Sequence, residues 1–193
     1  MTIFPMETEF WRCQPESEPW WGPGTRFGLV DPGNERPAHT VSFENDSPPV
    51  DAIIENKRET ASFRFFPIDH NAALTTLVVS RRIPLSGQKW CEGFFHSKKR
   101  TRLVFVELKN RRKARIRQPM EQLSSVLSFF DKHLPLILQK AKWKRAIVSN
   151  RRRGQSYMAN TRNAQQRESF RKRAKEFRER WNVKLEVHSE FVL

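Results

Sequence analysis

The triplet Glu107-Leu108-Lys109 closes an apolar run, Leu103-Val104-Phe105-Val106. In an extended chain successive side chains alternate, so Glu107 and Lys109 share one face, while Val104, Val106 and Leu108 take the other and point into a core. A second carboxylate, Glu92, stands in the preceding stretch KWCEGFFHS (89–97), with only Lys98 to Thr101 between the two segments. An antiparallel hairpin is the simplest connection across so short a polar link. With the turn centred on Lys99 and Arg100, Glu92 falls opposite Glu107, with Cβ atoms about 4.5–5.5 Å apart. Two carboxylates opposed in an apolar sheet repel each other and are costly to desolvate. A divalent cation between them removes the conflict, and Mg²⁺ takes carboxylates together with waters and phosphate oxygens. The expected ligands for Mg²⁺ or Mn²⁺ are Glu92, Glu107 and the Leu108 carbonyl. Lys109 is placed to orient a water and to hold a phosphate oxygen. A hairpin slipped by one residue would turn Glu92 away from Glu107 and destroy the site.

The charge distribution points to a polyanionic substrate. The formal charge is +15 over 193 residues and is unevenly spread, with about −6 in residues 1–60, about +9 in 98–118 and about +13 in 140–184. Each Lys or Arg that meets a phosphate releases condensed counterions, so basic blocks of this density favour a nucleic acid over a merely solvated surface. Arg111, Arg112, Arg151, Arg152, Arg153, Arg162, Arg167, Arg171, Lys172 and Lys175 are the candidate phosphate contacts. No apolar run approaches the ~18 residues of a membrane span, and MTIFPMETEF has neither the basic nor the apolar region of a secretory signal. Cys13 and Cys91 stand far apart without CxxC spacing, which predicts no disulfide framework or Cys-rich zinc site and fits a reducing cytoplasm.

The elements that must hold the site follow from periodicity. Residues 1–50 are punctuated by Pro and Gly and are expected to form an irregular extension, with Trp20 and Trp21 packing it onto a domain over 51–193. This acidic, Trp-containing region is also the candidate contact for a partner protein or a homodimer mate. Residues 49–60 predict a short helix with Asp51 as N-cap. Strands are expected over 61–68, 74–82, 89–97, 102–110 and 145–150. Pro119 opens a helix whose Met120, Leu123, Leu127 and Phe130 recur at helical spacing. Residues 163–181 predict a basic helix with Phe170, Ala174, Phe177 and Trp181 as its apolar stripe. Val183, Leu185 and Val187 alternate in a closing edge strand. A meander followed by helix, strand, helix and strand predicts an α/β (α+β) fold, a mixed central sheet flanked by helices. His70, beside Asp69, reads as a turn histidine, with a metal ligand as the alternative.

The constellation CEGFF…LVFVELK…MEQL resembles the PD-(D/E)xK superfamily, the restriction-endonuclease-like nucleases. The resemblance covers about residues 50–150. It implies a restriction-endonuclease-like core, with Glu92 as the first acid, Glu107 as the second, Lys109 as the lysine and Gln122 as the helical glutamine of exonuclease-like members. It also implies an acid on an early helix, for which Glu55 and Glu59 are candidates. The usual first acid is Asp, one methylene shorter than Glu92, and Val126 stands where a tyrosine often follows the glutamine. The implied function is metal-dependent hydrolysis of DNA with little sequence specificity, in bacterial defence or phage DNA processing. The alternative is a catalytically inactive nuclease fold serving as a nucleic-acid-binding subunit. A basic RNA-associated scaffold protein is a third reading.

Overall fold

The run from Leu103 to Leu108 does not alternate with polar residues because both of its faces are covered. In the computed structural model, which describes residues 6–33, 35–43, 50–57, 61–109, 117–150, 164–188 and 190–193, this segment is the centre of a six-stranded sheet. The elements in chain order are α1 (Met6–Arg12), β1 (Trp20–Trp21), β2 (Thr25–Val30), β3 (His39–Ser42), β4 (Ala52–Asn56), β5 (Phe63–Pro67), α2 (Ala72–Ser80) and β6 (Gly93–Ser97). They continue with β7 (Arg102–Lys109), α3 (Arg117–His133), α4 (Pro135–Lys140), β8 (Trp143–Asn150), α5 (Ala164–Trp181), β9 (Lys184–His188) and β10 (Glu190–Val192). The larger sheet has the order β1-β5-β6-β7-β8-β9 and the smaller one β10-β4-β2-β3. Strands β5, β6 and β7 form an antiparallel meander, α3 then crosses over, and β8 returns parallel to β7, followed by α5 and a parallel β9. The protein is thus a mixed α/β fold with two mixed sheets flanked by helices.

Side-chain parity on β7 sorts the core into two. Leu103 and Phe105 pack with Phe94 of β6, Leu123, Leu127 and Phe130 of α3, and Phe177 of α5. Val104, Val106 and Leu108 instead meet Phe27, Leu29 and Ile54 of the smaller sheet. Phenylalanine dominates the helix-side core, where Phe94 lies 5.3 Å from Phe105 and 5.7 Å from Phe130, ring centre to ring centre. Such offset and edge-on pairs add attraction beyond the area that they bury.

Three expectations fail for identifiable reasons. Residues 74–82, expected as a strand, lie largely in α2. The Asn71 side chain accepts a hydrogen bond from Leu74 N at 3.0 Å and caps the helix, and Leu74 and Val78, one turn apart, are the buried pair. Residues 49–60, expected as a helix, supply β4 instead, where burial alternates from Ala52 to Asn56. Asp51 is not a helix cap; its Oδ2 accepts a hydrogen bond from Asp31 N at 2.9 Å. Residues 1–50, expected to be irregular, contain α1, β1, β2 and β3, and Phe10 and Phe27 are fully buried. Of the two tryptophans expected to pack this region onto the 51–193 domain, Trp21 stacks on Phe27 at 4.3 Å and donates from Nε1 to Thr40 Oγ1 at 3.0 Å, both partners within residues 1–50, and Trp20 is 39 % exposed. Residues 89–92 lead into β6 rather than belonging to it. The closing segment supplies β9 at the edge of one sheet and then β10 in the other. Cys13 and Cys91 are buried free thiols. Among the described residues no helix is long and apolar enough to cross a membrane.

Candidate functional site

The β6–β7 hairpin sets the geometry. Its turn is closed by a hydrogen bond from Arg100 N to Ser97 O at 2.8 Å, and Gly93 pairs with Val106, Phe94 with Phe105 and His96 with Leu103. Continued by one residue, this register places Glu92 opposite Glu107. Glu92 lies just outside β6, yet its carbonyl accepts a hydrogen bond from Ile68 N at 2.9 Å, which extends the β5–β6 ladder and keeps it in line. Gly93 is needed beside it, because a Cβ there would collide with the Phe66 carbonyl and sit 2.6 Å from the Phe65 ring.

Glu107 is 3 % exposed and Glu92 half-buried. The thiol of Cys91 registers both acids. Burial pushes its pKa well above the ordinary value, and the charges of Glu107, Glu92 and Asp69 raise it further. Asp69, which follows β5, is thereby a third carboxylate of this neighbourhood. Its own pKa is raised by burial, an effect that His70 opposes and Asp31 reinforces. Among the described residues, however, no three acid, His or Cys side chains converge tightly enough to hold a metal ion. Two carboxylates are a sufficient protein contribution for Mg²⁺, whose remaining positions go to water and phosphate oxygens.

Gln122 reaches this site through the backbone. Its Nε2 donates to Trp90 O at 2.9 Å, two residues before Glu92. Ser125 Oγ, one turn further on, contacts Gln88 Nε2 at 2.9 Å and Lys89 N at 3.1 Å, and Glu121 pairs with Lys89 Nζ at 2.9 Å. One face of α3 thus grips the approach to Glu92. Lys109 closes β7, with its backbone in register with Asn150 of β8. Its side chain is outside the described part of the chain. Leu108 lies between Glu107 and Lys109 with its side chain in the opposite core.

The remaining expected residues divide sharply. Arg167, Arg171, Lys172 and Lys175 are exposed on α5, while Phe170, Phe177 and Trp181 are buried as expected. Arg111, Arg112, Arg151, Arg152, Arg153 and Arg162 lie outside the described residues. Glu55 is not on a helix; it belongs to β4 and pairs with Lys57 at 3.2 Å, and Glu59 is outside the described residues. His70 sits at a turn with φ 54° and is paired with Asp69 at 3.6 Å. Asp69 was legible in sequence only as the neighbour of His70; the pairing of β5 with β6 brings it to the site.

Glu92, Glu107 and the backbone of Lys109 lie at one end of the larger sheet, the carboxyl end of parallel strands β7 and β8. Lys109 and Asn150 are paired, and the stretches that follow them in sequence, 110–116 and 151–163, each carry four Lys or Arg and no acid. In open α/β sheets this end is where ligands bind. The fold and the site together define a mixed α/β protein with a carboxylate pair at the carboxyl edge of its parallel strands. No family model, curated protein or solved structure matches the chain.

Proposed function

We propose that the protein is a metal-dependent nuclease that hydrolyses DNA phosphodiester bonds with little sequence preference, as its resemblance to the PD-(D/E)xK enzymes implies. The observation that carries this reading is the hairpin register, which sets Glu92 opposite Glu107 at the edge where β7 and β8 end. The order of elements is compatible with it: an acid before one central strand, Glu-x-Lys ending the next, then a helix and a parallel strand. Glu92, Glu107 and the Leu108 carbonyl offer oxygen ligands that fit Mg²⁺ or Mn²⁺, and Asp69 replaces Glu55 as the candidate auxiliary acid. The cation supplies charge neutralisation at the scissile phosphate and a lowered pKa for a bound water. Lys109 holds a phosphoryl oxygen and stabilises the charge that develops there. Gln122 acts on Glu92 by fixing the Trp90 carbonyl. Cationic side chains of the basic segments and of α5 supply affinity without reading bases.

The second reading, a nucleic-acid-binding subunit without catalysis, draws on the absence of three converging ligands among the described residues and on Glu92 in place of Asp. Labelled linear and supercoiled DNA, incubated with Mg²⁺, Mn²⁺ or EDTA, separates the two. Cleavage is expected only with metal, and Lys109→Ala is expected to lower it about 10²-fold or more while retaining DNA binding. Cutting that survives Lys109→Ala refutes the assigned site. Salt-sensitive binding without any cutting establishes the binding subunit instead.

A further inference from the structure

The opposite end of β6 and β7 carries an unrelated feature. A cavity of about 410 Å³ opens between α1, α4 and the hairpin turn, within the size range of small-molecule sites. It lies about 20 Å from Glu107, given ~3.3 Å per residue along β7. One wall is the pair Trp11 and Arg100, whose guanidinium carbon stands 4.0 Å from the indole centroid. Arg100 adopts φ 56°, a left-handed conformation unfavourable to a non-glycine residue. The turn therefore retains a strained arginine where glycine would be at ease, and the arginine sits over the face of a tryptophan.

Leu136 and Ile137 add apolar lining, and Leu136 is 58 % exposed despite its size. Arg12 and Lys140 add cations to the lining, and Glu7 and Thr8 supply an acceptor and a hydroxyl. A cavity lined by an arginine–indole pair, aliphatic side chains and two further cations matches the chemistry of a flat heterocycle bearing a phosphate. Beyond His96, which is 4.9 Å from Trp11 and 5.3 Å from Trp20, the Trp20 ring is 39 % exposed with Lys98 Nζ 5.6 Å from its centre. This repeats the pairing of aromatic and cation one step further along the surface.

We propose that this cavity binds a nucleotide, the base entering between Arg100 and Leu136 and the phosphate meeting Arg12 and Lys140. A nucleotide reaches it either free or as the end of a single strand whose next base stacks on Trp20. The site is separate from the carboxylate edge and does not depend on the nuclease reading.

Calorimetric titration of the full chain with adenosine monophosphate, inorganic phosphate, and a short single-stranded oligonucleotide bearing a 5′-phosphate tests this. Arg100→Gly suits the test because glycine relieves the left-handed φ and keeps the Ser97 hydrogen bond while removing the guanidinium. Adenosine monophosphate is expected to bind at least ten-fold more tightly than phosphate, and Arg100→Gly and Lys140→Ala are each expected to weaken it several-fold or more. If the source is a strand, the oligonucleotide competes with the mononucleotide and Trp20→Ala weakens only the oligonucleotide. If it is a free nucleotide, the oligonucleotide does not compete. Failure of both nucleotide probes to bind, phosphate binding as tightly as the mononucleotide, or affinity unchanged in both Arg100→Gly and Lys140→Ala overturns the proposal.

Discussion

Two buried groups with opposite titration behaviour should give this protein a flat stability profile in mildly acidic solution. Glu18 is 6 % exposed and accepts hydrogen bonds from Thr40 Oγ1 at 2.8 Å and Thr40 N at 3.4 Å. Burial raises its pKa from an ordinary 4.5 to about 7, against the opposing effects of Thr40 and Arg64. His96 is 4 % exposed, with Nδ1 3.2 Å from Ser97 O and Nε2 3.1 Å from Gln14 Oε1. Burial lowers its pKa from 6.5 to about 4, opposed by the Ser97 carbonyl and assisted by Arg100 and Arg64. Between pH 4.5 and 7 the folded protein holds a proton on Glu18 that the unfolded chain has released, so stability falls as pH rises. Between pH 4 and 6.5 the unfolded chain protonates His96 and the folded protein does not, so stability falls as pH drops. Each slope is roughly 1.4 kcal/mol per pH unit, and the two cancel over the shared window. Glu18→Gln removes one slope. Its unfolding free energy in urea is expected to rise by about 3 kcal/mol from pH 4.5 to 6.5, while the parent changes little over that range. His96→Gln is expected to fall by a similar amount, and the double variant to be flat again. A Glu18→Gln profile as flat as the parent's would refute the opposed titrations, whatever the variant's absolute stability.

Two further perturbations probe the frame and the basic helix. Gly93→Ala pushes a methyl group into the Phe66 carbonyl, which cannot rotate away, and is expected to cost about 1–3 kcal/mol in urea unfolding; parental stability would show that the register beside Glu92 is not tightly held. Arg167, Arg171 and Arg178 are exposed and lie along one flank of α5 by helical spacing, away from buried Phe170 and Phe177. If all three contact phosphates, replacing them with Ala reduces the steepness of log K against log salt for duplex DNA by about 2–3, and an unchanged slope would remove α5 from the interface.

The parts of the fold legible in sequence are those settled by short-range geometry. Four polar residues separate the segments of the β6–β7 hairpin, so few registers were open to the turn, and the observed one, with Gly93 opposite Val106, is the one that sets Glu92 against Glu107. The stripe Phe170, Ala174, Phe177 and Trp181 is likewise local to one helix. By contrast, Leu74 to Ser80 is rich in β-branched residues, and only the Asn71 cap, with Leu74 and Val78 on one face, tips it to helix. The N-terminal glycines misled in the other direction. Gly24, at φ 76°, lies between β1 and β2 and donates to Asn56 O at 2.6 Å; it marks a turn between short strands rather than a lack of strands. Such strands gain their partners from distant parts of the chain, as β2 does from β4.

The site divides along the same line. At every second position β7 changes from Leu103 and Phe105 to Glu107 and then Lys109, a change of character at fixed period that the sequence alone displays. Asp69 has no such signature, because it becomes relevant only once β5 lies beside β6 and Ile68 N bonds to Glu92 O. The smaller sheet is equally invisible from β7 alone, yet it determines what Glu107 can do. By covering Val104, Val106 and Leu108 it makes β7 an interior strand, so Glu107 stands at the end of a core closed on both sides and is almost fully buried. A carboxylate in that position is expensive to keep charged without a cation nearby. The apolar strand that precedes it is therefore part of the chemistry: it sets both where the acid sits and how strongly the acid requires a positive partner.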